Sequence, residues 1–143
     1  MSTPPTLQHI VDQFAAAPPQ VKLQALLDYS RRLPPLPPDF ADRPELLEKV
    51  DECQSPFFLR AEVAPDGGVA MYFDAPAEAP TTRGYAGILA EGLAGATAEE
   101  ILAMPSDFYM GMGLAEVITP LRLRGMGAIV TRLKRQVREQ VDD

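Results

Sequence analysis

The chain carries one cysteine and one histidine in 143 residues. A lone cysteine cannot close an internal disulfide, which fits a reducing compartment. Nor can one cysteine and one histidine furnish the four ligands of a tetrahedral zinc or iron–sulfur site within a single chain. Hydrolytic cysteine chemistry needs a base within hydrogen-bond reach of the thiol, usually a histidine. His9 is the only histidine, and its place in the first amphipathic stretch puts it on the solvent side of a helix. Cationic residues are also scarce: 13 Lys and Arg stand against 20 Asp and Glu, a formal net charge of −7. Binding a phosphate backbone needs an excess of positive charge on one face, so nucleic acid is not the expected partner. No run approaches the roughly 18 apolar residues of a membrane span. Gly84, Gly87, Gly92 and Gly95 fall within or at the end of a helical pattern, with no Lys-Ser/Thr ending to make a phosphate loop. The N-terminal Met1-Ser2-Thr3-Pro4-Pro5 lacks the basic-then-apolar signature of a secretory signal. The expectation is a cytoplasmic protein with no metal and no cofactor of its own.

What is present reads as one globular domain spanning residues 1–143, with 46% hydrophobic and 23% charged residues. Leu7, Ile10, Val11 and Phe14 lie at helical spacing behind Thr6, a candidate cap. Pro18-Pro19 breaks that helix, and Leu23, Leu26, Leu27 and Tyr29 continue into a second that must stop before Pro34. The two suggest a hairpin laid across a sheet. Residues 33–44 carry five prolines and read as a rigid, extended connection anchored by Leu33 and Leu36. Leu46 to Val50, Phe57 to Val63 and Val69 to Phe73 are predicted strands, with Asp66-Gly67-Gly68 as a hairpin turn. Thr81 or Thr82 opens a helix ending at Gly95, and Thr97-Ala98-Glu99-Glu100 is a capping box. The last helix follows Thr119-Pro120, with Met126, Ile129, Val130, Leu133 and Val137 on one stripe. The fold class is α+β, a small three-stranded antiparallel sheet packed against several helices.

The chemistry centres on Val50-Asp51-Glu52-Cys53-Gln54-Ser55, between a Pro-rich segment and the second strand. The thiolate is the reactive form of cysteine. Asp51 and Glu52 oppose it, and a lone cysteine is often simply a small buried hydrophobe. Three ordered motifs point further: Arg32-Leu33-Pro34-Pro35-Leu36-Pro37, then Val50 to Ser55, then Thr119-Pro120-Leu121-Arg122-Leu123-Arg124-Gly125-Met126. Together they resemble the SufE family, the sulfur acceptors that partner cysteine desulfurases in iron–sulfur cluster assembly. The family pattern reads R-L-P-x-L-P, V-x-G-C-Q-S and [ST]-P-S-R-x-x-G-[LM], and the resemblance runs from about Leu7 to Val137.

The resemblance implies a SufE/NifU-like fold and makes Cys53 the acceptor of persulfide sulfur. It implies a SufS-like cysteine desulfurase as partner, with the pyridoxal phosphate held by that enzyme, and an iron–sulfur scaffold further on. The chain itself would be an accessory protein rather than an enzyme. Sulfur transfer suits a chain so poor in catalytic groups, because the acceptor needs only an accessible thiol. A second thiol nearby would collapse the persulfide to a disulfide, and this chain has none. Arg122 falls on the family's arginine and offers a permanent charge to a thiolate or persulfide. Gln54 and Ser55 follow the cysteine as in the family and are expected to shape its loop by side-chain hydrogen bonds. Arg132, Lys134, Arg135 and Arg138 read as a solvated face. Glu52 replaces the family's glycine, which adds a charge beside the thiol and would strain the loop if it needed a positive φ there. Leu123-Arg124 and Glu78-Ala79-Pro80 are further departures. The alternative is a binding module that tethers or activates a desulfurase without carrying sulfur.

Overall fold

The computed structural model describes residues 3–141; Met1 and Ser2 of the N-terminal stretch read above lie outside them. Proline sets the helix starts. Pro5 opens α1 (Pro5–Ala16), Pro19 opens α2 (Pro19–Arg32), Pro38 opens the single turn α3 (Pro38–Ala41), Pro80 opens α4 (Pro80–Gly92) and Pro120 opens α6 (Pro120–Val141). The first helical residue has no use for its N–H, and a fixed φ near −65° is already helical. This overturns two expected caps. Thr6 and the pair Thr81/Thr82 lie in first turns whose caps are Pro4 and Ala79, without a side-chain bond. The exception is α5 (Ala98–Ala103), where Thr97 and Glu100 form the expected reciprocal box.

The sheet is antiparallel in the order β1 (Glu48–Lys49), β2 (Phe58–Val63), β3 (Val69–Asp74). Phe58 pairs with Asp74 and Val63 with Val69 across the hairpin, whose turn is tied by Gly68 N–H donating to Asp66 Oδ1 at 2.9 Å. The first strand is shorter than expected: Pro44–Leu46 is a 3₁₀ turn, so pairing is confined to Glu48↔Leu59 and Lys49↔Phe58. The Pro-rich connection is extended only as far as Pro37, because Pro38 and Pro44 each start a helical turn. Gly95 lies in the turn after α4 rather than at its end, which is Gly92.

Two residues of β1 leave the edge of β2 open beyond Leu59, and an unpaired strand edge is unfavourable unless something covers it. Helix α6 covers it with glutamine side chains. Ala61 N–H donates to Gln136 Oε1 at 2.7 Å and Val63 N–H to Gln140 Oε1 at 2.9 Å, while Gln140 Nε2 donates to Ala61 O at 2.8 Å. These bonds stand in for a strand, and they fix α6 along the sheet. Its other face buries Met126, Ile129, Val130, Leu133 and Val137, the stripe read from the sequence.

The α1–α2 hairpin packs chiefly on α4, not across the sheet. The reason is local. A Cβ on Gly84 would stand 2.3 Å from Leu26 O and one on Gly87 2.2 Å from Tyr29 O, so two bare positions let the α2 and α4 backbones touch. Accordingly Leu26 and Tyr29 are buried, but Leu23, expected on the apolar stripe, is 47% exposed. Arg83 closes the same contact from its edge, donating to Ser30 O at 3.1 Å and Ala75 O at 2.5 Å. No helix of the described residues is long and apolar enough to cross a membrane.

Candidate functional site

Cys53 lies on the connection between β1 and β2, opposite the start of α6. The base of that loop is anchored. Val50 and Phe57 are buried, and Val50 N–H donates to Phe57 O at 2.8 Å. Within it, Cys53 N–H donates to Val50 O at 3.2 Å. Asp51, Glu52 and Gln54 are exposed, whereas Cys53 is half-buried. Its thiol turns inward and donates a long contact of 3.8 Å to Gly125 O on α6. Gly125 makes this approach possible: a Cβ there would lie 3.2 Å from Cys53 Sγ and 3.6 Å from Glu52 O.

The thiol borders a cavity of about 10 Å³, room for a single water molecule. Its walls are Gln54 from the loop, Thr81, Thr82 and Tyr85 from α4, and Arg122, Met126 and Ile129 from α6. Tyr85 is fully buried and donates its hydroxyl to Met126 O at 3.4 Å. Three distant segments therefore meet at one sulfur. The predicted residues Cys53, Gln54 and Arg122 are brought together, while Ser55 is not on the cavity wall and His9 is exposed elsewhere. Among the described residues neither Gln54 nor Ser55 makes a side-chain hydrogen bond, so the expected shaping of the loop by those groups is not its mechanism.

Burial pushes the Cys53 thiol up from its ordinary 9.0 to about 11; Glu52 adds to the rise and Arg132 works against it. The thiol is thus protonated at neutral pH. Two sequence expectations change here. Of the two neighbouring carboxylates, Glu52 is the one whose charge reaches the sulfur. The cation that reaches it is Arg132, one of the residues read as solvated. Arg122 shares the cavity wall, is partly exposed and forms no ion pair among the described residues.

Arg132 organises a cluster that sequence reasoning missed. Its guanidinium donates to Glu48 Oε2 at 2.9 Å, to Lys49 O at 3.1 Å and to Glu52 Oε1 at 2.6 Å. Glu48 also accepts from Arg135 and from Gln136 Nε2. Burial acts to raise the Glu48 carboxyl, but the hydrogen bonds from Gln136, Arg135 and Arg132 outweigh it and hold it below its ordinary value. Lys134, likewise read as solvated, donates to Met104 O. Glu52 is not strained: among the described residues every positive φ belongs to a glycine. The loop accepts a glutamate where the family has glycine, and Arg132 pairs with its carboxylate. A readable signal existed, because Gly125 and Arg132 lie seven residues apart and so on one face of the last helix.

The molecule is thus an α+β domain that presents one pocketed thiol on a hairpin loop clamped to its C-terminal helix. The chain belongs to the SufE family, the Fe-S metabolism associated domain, whose pattern it matches over residues 8–137. It is 49% identical over 138 residues to an uncharacterised SufE-like protein of Mycobacterium tuberculosis, covering 96% of this chain and 95% of that one. A cysteine desulfuration protein SufE of Plasmodium vivax is 28% identical over 133 residues, 91% of this chain and 52% of that protein. A solution structure of a hypothetical protein from Thermus thermophilus superposes with a TM-score of 0.87 at 44% identity, covering 99% of this chain and 100% of the other.

Proposed function

We propose that this protein accepts sulfur on Cys53 from a cysteine desulfurase, stimulates that enzyme's turnover and feeds iron–sulfur cluster assembly in the cytoplasm. The observation that carries the reading is the placing of the only thiol on an exposed hairpin loop, with its sulfur folded into a cavity that a small loop movement would open. The Cys53 thiolate attacks the outer sulfur of the desulfurase persulfide. The S–S bond of the donor breaks, the donor cysteine leaves as thiolate, and Cys53 holds the persulfide. With a thiol pKa of about 11 at rest, the attack requires that the loop carry Sγ out of its pocket first. A partner that draws the loop out would both expose the sulfur and lower its pKa. Arg122, on the cavity wall, is then the cation that receives the persulfide anion.

Incubation with a desulfurase and cysteine, followed by mass spectrometry of the intact chain, tests this. One additional sulfur on Cys53, absent from Cys53→Ser, is the expected result. Full stimulation of the desulfurase with no sulfur on the chain would replace the carrier reading with the tethering one.

A further inference from the structure

The polar edge of α6 suggests how the loop is kept shut, an inference that rests on the carrier reading just given. Arg132 is a fixed post. It sits one turn before Gln136 and two before Gln140, whose side chains are bonded to the β2 backbone. Its contacts to Glu48 Oε2 and Lys49 O join it to β1, which is itself paired with β2. The third contact differs in kind. Glu52 belongs to the loop tip, and among the described residues it is the one side chain of residues 51–56, apart from the thiol, that makes a hydrogen bond. The thiol's own contact across Gly125 is long, at 3.8 Å. The Glu52 side chain is 50% exposed and that of Arg132 24%. Such a pair adds little to global stability. Among the described residues it is nonetheless the one charged tether on a local opening, where even a small free energy sets the open fraction.

We propose that the Glu52–Arg132 ion pair is a latch that holds the Cys53 loop closed on α6, and that the sulfur is presented when the pair parts. Both are positioning residues: neither touches the transferred sulfur. The geometry gives release a direction. When Glu52 leaves, Arg132 stays, held by Glu48 and Lys49 O. The loop thereby loses its carboxylate from the guanidinium while the cation remains near the sulfur's exit.

Hydrogen exchange of the backbone amides of Asp51–Ser55 reads the opening directly and needs no desulfurase, so it stands or falls apart from the carrier reading. In Glu52→Gln those amides should exchange about threefold faster than in the wild type, the factor expected of a half-exposed pair. Glu52→Asp, which keeps the charge on a shorter stem, should recover part of the protection. Raising ionic strength should speed exchange in the wild type and leave Glu52→Gln unchanged. Arg132→Gln should be at least as fast, and Glu52→Gln added to it should change nothing further. Should Arg132→Gln fold poorly through loss of the Glu48 contact, the two Glu52 variants and the salt series decide alone. Loop exchange in Glu52→Gln equal to wild type would overturn the latch. So would an equal acceleration at Val130 and Leu133 in the middle of α6, which would mark a global effect.

Discussion

Two glycine-mediated contacts hold different parts of this molecule, and they differ in what they press against. At Gly84 and Gly87 the missing Cβ would meet backbone carbonyls of α2 at 2.3 and 2.2 Å. At Gly125 it would meet a side-chain sulfur at 3.2 Å. Backbone oxygens inside a packed helix pair cannot yield without parting the helices, whereas a sulfur on a hairpin tip can swing away. The first contact is frame and the second is seat. The frame joins α2 and α4 beneath the site; the seat receives a loop anchored at Val50 and Phe57 and held to α6 at its tip by the Glu52–Arg132 pair and the long thiol contact. Backbone packing surrounds the sulfur while side-chain contacts hold its loop to α6, an arrangement that suits the proposed carrier role.

The contrast can be tested from the largest effect downward. Cys53→Ser should abolish sulfur loading entirely while unfolding in urea at nearly the wild-type midpoint, because the half-buried thiol is seated rather than structural. A midpoint shifted far down would merge seat with frame. Gly87→Ala should cost about 3 kcal/mol, since an added methyl must push two helix backbones apart. If it proved as stable as the wild type, the frame would be softer than its geometry. Gly125→Ala should cost only about 1 kcal/mol, because loss of the sulfur's seat is partly offset by better helix propensity. Iodoacetamide should then modify Cys53 faster than in the wild type; slower modification would mean that the added methyl traps the loop.

Titration separates the two regions further. A thiol whose pKa is raised from 9.0 to about 11 by folding keeps its proton in the native state after the unfolded chain has lost it. Its contribution is therefore intact below pH 9 and is lost as pH rises from about 9 to about 11. Burial raises the tyrosines Tyr29, Tyr85 and Tyr109 as well, so the cysteine's part is the difference between wild type and Cys53→Ser over that window. The two stability curves should converge upward of pH 9 if the wild type begins the more stable; parallel curves would show that Cys53 titrates as in the open chain. The smallest effect concerns Arg122→Ala. Its stability should stay within about 0.5 kcal/mol of wild type. Resting alkylation should also hardly change, since Arg132 is the cation acting on the seated thiol. Transfer from a desulfurase should slow, and Arg122→Lys should recover part of the rate. Unchanged transfer in Arg122→Ala would return that residue to the solvated face of α6.

Much of the fold was legible because it is written over short distances. The stripe from Met126 to Val137, the Thr97–Glu100 box and the Asp66-Gly67-Gly68 turn each depend on residues within a few positions of one another. The prolines were legible as breaks but not as starts, since the same residue ends one segment and opens the next. The hairpin of α1 and α2 is readable, yet its neighbour is not: amphipathic periodicity says that a face is buried and leaves open what buries it. Gly84 and Gly87 answer that question through a close approach of two backbones, which their spacing alone does not announce.

By itself the sequence determined the class of fold, the three ordered motifs that point to the SufE family, and the single thiol on which any sulfur chemistry must rest. Tertiary structure decided the state of that thiol. Glu52 and Arg132 are 80 residues apart in sequence and 2.6 Å apart in space, so a charge that opposes the thiolate is met by a cation that works against it. Burial is the largest cause of the rise in the cysteine's pKa, and the thiol's seat includes Gly125, 72 residues away. Electrostatic and desolvation energies depend on separation in space and on excluded water, and neither quantity follows from position along a chain.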